Sequence, residues 1–114
     1  MGVEPLFDDT IHAPNRLRLC GLLRPVDDME FALLRAMLDM SEANLSKTVK
    51  ALVELGYARV KKEPSLSRSD HRRTTSVALT AQGRLAFDRH VVSLQRLAAG
   101  LAMSPTPVEG RAEQ

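Results

Sequence analysis

Apolar residues recur at Leu45, Val49, Leu52 and Leu55, and this spacing of four, three and three lays them along one face of a helix. Ser41 stands where a helix cap belongs, its hydroxyl able to accept from an amide two or three residues on. Met40 and Leu45 occupy the positions of a hydrophobic staple around it. Gly56 tolerates the left-handed backbone that ends many helices. The pattern predicts a helix over residues 41–56. Its other face holds Ala43, Ser46, Lys47, Lys50 and Glu54, with Asn44 and Ala51 at the edge. That face has short side chains near its start and is mostly cationic.

Upstream, Ile11, Leu17, Leu19, Cys20, Leu22 and Leu23 predict an apolar helix with Pro14 in its first turn, where a missing amide costs least. Arg16 and Arg18 are expected on its exposed side. Arg24-Pro25 ends it, because the residue before proline is pushed out of helical angles. Val26–Met29 reads as a connector or a very short strand. A second helix over Glu30–Leu38 buries Phe31, Leu34 and Leu38 and exposes Arg35, with Asp39 exposed just beyond. Only Asp39-Met40-Ser41 separates it from the helix at 41–56, which makes a helix-turn-helix.

Beyond Gly56 the period changes to two. Tyr57–Lys62 alternates, and Arg73–Leu79 is rich in Thr and Val, so both read as strands. They form a hairpin with a polar, basic tip at residues 63–72. Thr80 caps a last helix, residues 81–103, whose Phe87, Val91, Leu94, Ala98 and Leu101 make a heptad-like seam. A second row, Leu85, Val92 and Leu97, is expected to face the domain. This is more apolar surface than one small domain covers. It predicts a second copy of the chain on the seam, with Leu6, Phe7 and Ile11 supplying the facing surface. Residues 1–9 read as an arm, 10–103 as one domain and 104–114 as a disordered tail.

Charge sharpens this picture. The 114 residues carry a net charge of only +2, but residues 1–42 carry −4, residues 43–73 carry +5 and residues 74–114 carry +1. The positive charge is concentrated in the helix at 41–56 and the hairpin. Six basic residues stand between Arg59 and Arg73 against two acidic ones. A local basic footprint of this kind suits phosphate contacts. Lysines can neutralise phosphates, and Asn44 and Ser46 can hydrogen-bond base edges or phosphate oxygens.

Other chemistry has little support. A lone cysteine, Cys20, excludes an intrachain disulfide and a thiolate zinc cluster, and among leucines it reads as a small core residue. His12, His71 and His90 lie in different elements without ligand spacing, so each is expected to be structural or solvent-facing, with no metal. Asp27 and Asp28 point apart and have no nucleophile beside them. No glycine-rich phosphate loop is present. No catalytic residues and no cofactor are expected. No apolar run approaches the roughly 18 residues of a membrane span, and no signal peptide is visible. The expectation is a cytoplasmic protein that binds double-stranded DNA. The alternative is a protein-interaction module that turns the same surface to an acidic partner. A small-molecule effector could sit between the first and last helices, but no polar cluster marks such a site.

The order helix, helix, turn, helix, hairpin, helix is that of a winged helix-turn-helix. The runs Ile11-His-Ala-Pro-Asn-Arg-Leu-Arg-Leu19, Asn44-Leu-Ser-Lys-Thr-Val-Lys-Ala-Leu-Val-Glu-Leu-Gly-Tyr57 and Leu79-Thr-Ala-Gln-Gly83 resemble the winged-helix transcriptional regulators related to the MarR and ArsR families. The resemblance covers roughly residues 8–100. It implies a mainly helical α+β fold with a two-stranded wing, a C-terminal dimerisation helix, and a homodimeric repressor on an inverted-repeat operator. By position the groove residues are Asn44, Ser46, Lys47 and Lys50, with Ser41 and Ala43 at the helix start. The wing residues are Arg68, Arg72 and Arg73. Two departures stand out. Asp70 and Arg72 lie one residue further from Leu79 than the family pattern places its wing Asp and Arg, so Arg73 can take that role. Ala43 replaces a frequent glycine. The metal-binding cysteines of some ArsR-type proteins are absent, so metal sensing does not carry over.

Overall fold

The computed structural model describes residues 2–64 and 73–100, with backbone alone at Pro64 and Arg73. The order is α1 (Asp9–His12), α2 (Pro14–Leu23), β1 (Met29–Glu30), α3 (Phe31–Leu38), α4 (Glu42–Glu54), β2 (Ala58–Pro64), β3 (Arg73–Leu79) and α5 (Ala81–Ala98). The first helix is thus two helices. Ala13, held at φ −58 and ψ 135 before Pro14, interrupts it. Asp8 caps the short α1, its Oδ1 accepting from the Ile11 amide at 2.9 Å.

Leu19 and Leu23 of α2, Leu34 and Leu38 of α3, Leu45 and Leu52 of α4, and Val77 and Leu79 of β3 form the core with Ile11 and Cys20. Each such side chain contributes about 1.5–3 kcal/mol by leaving water. The wing hairpin is not alone in its sheet. β1 pairs antiparallel with β3, Met29 opposite Val77, and gives a three-stranded sheet in the order β1-β3-β2. Within the hairpin Ala58 faces Leu79, Val60 faces Val77 and Lys62 faces Thr75. Leu55, expected in the core, is 41% exposed, because α4 ends at Glu54 and the chain turns away through Gly56 at φ 82. Thr48 is buried instead, its hydroxyl donating to the Asn44 carbonyl at 2.8 Å.

α5 presents a different side to the domain than its apolar rows predict. Leu85 and Leu97 are 48% and 54% exposed, whereas Gly83, His90 and Ser93 are buried and Phe87 packs on the core. The reason is polar and steric. The Asp8 amide donates to His90 Nδ1 at 3.0 Å, and Tyr57 donates its hydroxyl to Asp8 Oδ2 at 2.7 Å. With Nδ1 accepting, the His90 proton is on Nε2, which faces His12 Nδ1 at 3.1 Å. Phe7 meets both rings, tilted at 49° to His12 and edge-on at 70° to His90. The arm runs along the helix, Leu6 donating its amide to the Arg89 carbonyl at 3.1 Å. At the other end Arg84 donates to the carbonyls of Arg24 and Val26 at 2.7 and 2.6 Å. Arg24 grips Asp88 through two bonds of 2.7 and 2.9 Å, which hold that carboxyl below the usual carboxylate range. His12 and His90, expected to act separately, therefore meet.

Candidate nucleic-acid interface

α4 owes its start to Ser41, whose hydroxyl accepts from the Asn44 amide at 3.1 Å. Ser41 is thereby committed to the cap. The turn before it is held by Asp39 in the left-handed region at φ 54, by the Met40 amide donating to the Arg35 carbonyl at 3.2 Å, and by Arg18 donating to the Leu38 carbonyl at 3.1 Å. These bonds fix α3 and α4 relative to α2. Burial of Leu45, Val49 and Leu52 then leaves Ala43, Asn44, Ser46, Lys47 and Lys50 exposed on the outer face. Among the described residues, the side chains of Asn44, Ser46, Lys47 and Lys50 engage no hydrogen bond or ion pair. They are free to meet a partner.

A groove of about 420 Å³ runs between α4 and the sheet. Glu42, Ser46, Lys50 and Val53 line one wall, and Val60, Lys62 and Thr75 line the other. β2 continues the basic character with exposed Arg59 and Lys61, the latter paired with Glu63 at 2.9 Å. Arg68, Arg72 and His71 lie outside the described residues, as do Leu101 and the tail at 104–114. Arg73 opens β3 with its backbone opposite Pro64.

The other flank of α4 carries a feature that the sequence did not suggest. A pocket of about 340 Å³ separates it from the first turn of α2, with Asn15, Arg16, Asn44 and Lys47 among its walls. The break at Ala13 brings Asn15 and Arg16 there. Pro14 was the available signal for that break.

The seam residues are divided. Ile11, expected at a facing surface, is fully buried within its own chain and can only support such a surface from beneath. Phe87 is packed on the core, Val91 and Leu94 are half-buried, and Ala98 is exposed. Cys20 is buried, and burial followed by the nearby Asp8 charge pushes its thiol up to about 12, far from a reactive thiolate. Among the described residues no three His, Cys, Asp or Glu side chains gather as a metal site, and no helix is long and apolar enough to cross a membrane.

A helix-turn-helix with its second helix outward, backed by a small antiparallel sheet and a long last helix, defines a winged helix fold. The chain belongs to the winged helix DNA-binding domain family, whose model matches residues 16–98. It is 28% identical over 86 residues to an uncharacterized protein of Methanocaldococcus jannaschii, covering 75% of this chain and 89% of that one. Its fold is similar to a transcriptional regulator homologue from Pyrococcus horikoshii OT3, with a TM-score of 0.71, 24% identity, and coverage of 80% and 86% of the two chains. It is also similar to a MarR family transcriptional regulator from Silicibacter pomeroyi DSS, with a TM-score of 0.60 and 26% identity. That match covers 87% of this chain and 62% of the regulator, so the chain spans less than two thirds of that protein's length. Family and fold are those of a DNA-binding transcriptional regulator.

Proposed function

We propose that this protein binds a specific double-stranded DNA operator as a homodimer and represses transcription from it in the cytoplasm. α4 enters the major groove, with Asn44 and Ser46 reading base edges and Lys47 and Lys50 meeting phosphates. The hairpin, with Arg68, Arg72 and Arg73, lies on the neighbouring minor groove or backbone. The observation that carries this reading is the outer face of α4, whose exposed amide, hydroxyl and ammonium groups have no partner within the described residues. Leu85 and Leu97 of α5 are exposed and Leu6 of the arm adjoins Leu85, and this apolar surface supports a second copy of the chain as the dimer partner.

A two-fold dimer sets two α4 helices about one DNA turn apart, roughly 34–36 Å. Selection of bound sites from a random duplex pool tests the reading. The expected product is an imperfect inverted repeat with half-sites about 10 bp apart. A pool that never enriches, or a single unrepeated site, contradicts it.

A further inference from the structure

We propose that the pocket between α2 and α4 holds a backbone phosphate of the bound DNA, gripped by Asn15, Arg16 and Lys47 on the flank of α4 away from the wing. This rests on the reading of α4 as the groove helix and adds a contact to it.

A helix with its side chains is about 10–12 Å across, and the major groove is about 12 Å wide. A helix seated there fills the groove, so a sugar-phosphate strand passes each flank. On the wing side, Ser46, Lys50 and Lys62 line the groove between α4 and the sheet. On the other side the strand must pass the pocket of about 340 Å³ that Asn15, Arg16, Asn44 and Lys47 help to line.

The chemistry of that pocket suits a phosphodiester. No carboxylate lines it, so Lys47 has no internal counter-ion there. Asn15 and Lys47 have no side-chain partner among the described residues, and both are exposed. Arg16 is anchored through Nε to the Thr10 carbonyl at 2.6 Å, while its two terminal nitrogens have no partner among the described residues. That anchor presents a cation at small entropic cost. The first turn of α2 has no side-chain cap. The contact would not read sequence. It would set the depth and register of α4, which the base-reading residues need.

The test uses the full chain with three variants: Asn15→Asp, Lys47→Gln and Lys50→Ala. Asn15 is exposed and near-isosteric with Asp, so Asn15→Asp preserves the fold, which circular dichroism verifies. Affinity is measured for the selected duplex and for random duplex at several salt concentrations. Asn15→Asp should weaken both by about tenfold, the scale of one hydrogen bond to a charged group. Lys47→Gln should lower the salt slope by about 0.9 for each half-site. A single neutral methylphosphonate beside each half-site should weaken the wild type, and Asn15→Asp should then cost nothing further. If the wild type binds and Lys50→Ala weakens it while Asn15→Asp does not, the phosphate contact is wrong and the groove reading stands. If the wild type binds no duplex, the groove reading itself has failed. Inorganic phosphate that perturbs the Asn15 and Lys47 amides, with duplex affinity unaltered in Asn15→Asp, would make this an anion site unrelated to DNA and overturn the proposal.

Discussion

A methyl group placed on Gly83 would fall 2.8 Å from the carbonyl carbon of Tyr57 and 2.9 Å from its Cα. The first turn of α5 therefore lies directly on the backbone that leaves α4. Thr80 completes the joint. Its amide donates to the Tyr57 carbonyl at 3.0 Å, its hydroxyl donates to the Gly56 carbonyl at 2.6 Å, and the same oxygen accepts from the Gly83 amide at 3.0 Å. Gly56-Tyr57 and Leu79-Thr-Ala-Gln-Gly83 are thus the two halves of one contact between the end of α4 and the start of α5.

Gly83→Ala should consequently be destabilising by about 3 kcal/mol, the upper end for overpacking, because the obstacle is backbone and cannot rotate aside. Gly21→Ala is the matched control. A methyl there meets only Phe87 at 3.9 Å, an ordinary contact, and alanine favours the helix by about 0.5–1 kcal/mol. Thermal melts should move in opposite directions for the two variants.

Stability should also fall on mild acidification. Burial, followed by the electrostatic effect of the neighbouring His12, lowers the pKa of His90, while Asp8 and Asp9 oppose that shift. The unfolded chain takes up the proton near about pH 6.5, where folded His90 resists it. Loss of stability therefore begins as pH drops through about 6.5 and continues down to the lowered folded value. Denaturant titrations at pH 7.5, 6.5 and 5.5 should show it above the range where carboxylates titrate. His12→Asn, which removes the second imidazole, should flatten the slope. An identical slope in that variant would exclude the pair as its source.

Base reading and phosphate contact should separate on α4. Asn44→Ala and Ser46→Ala should alter base preference, since a good bidentate base contact discriminates by about 1–3 kcal/mol. Lys50→Ala should weaken binding to every duplex alike. Equal losses for all three variants on selected and random duplex would contradict these roles.

The association surface makes its own prediction. Leu97→Asp should put a charge on the exposed apolar surface at the end of α5 and yield monomers in sedimentation at micromolar concentration. Leu33, 49% exposed on α3, is the control, and Leu33→Asp should leave the dimer intact. A wild type that sediments as a monomer would end the dimer reading.

Much of this architecture can be read along the chain. The caps of α4, the Gly56 stop and the span of β3 follow from local rules that tertiary contacts do not override. Two features do not follow. The domain-facing side of α5 consists of Gly83, His90 and Ser93 beside Phe87, so an apolar pattern points to Leu85 and Leu97 instead. Close backbone approach and a buried hydrogen bond decide that face, and neither has a periodic signature. The His12–His90 contact and the pocket at Asn15 join residues far apart in sequence, and only the fold brings them together. Within the candidate interface, the exposed face of α4 was legible from its period and charge. The flank toward α2 was not, because it depends on the helix breaking at Ala13.

The most direct test of DNA binding is the salt dependence of wild-type affinity for the selected duplex between about 50 and 200 mM salt, where phosphate contacts release counterions. Phosphate contacts by α4 and the hairpin should give a linear fall of log affinity with log salt whose slope corresponds to several phosphates, and a much weaker but similarly salt-sensitive binding to random duplex. A folded protein that binds no duplex at low salt, or whose binding is indifferent to salt, would contradict it.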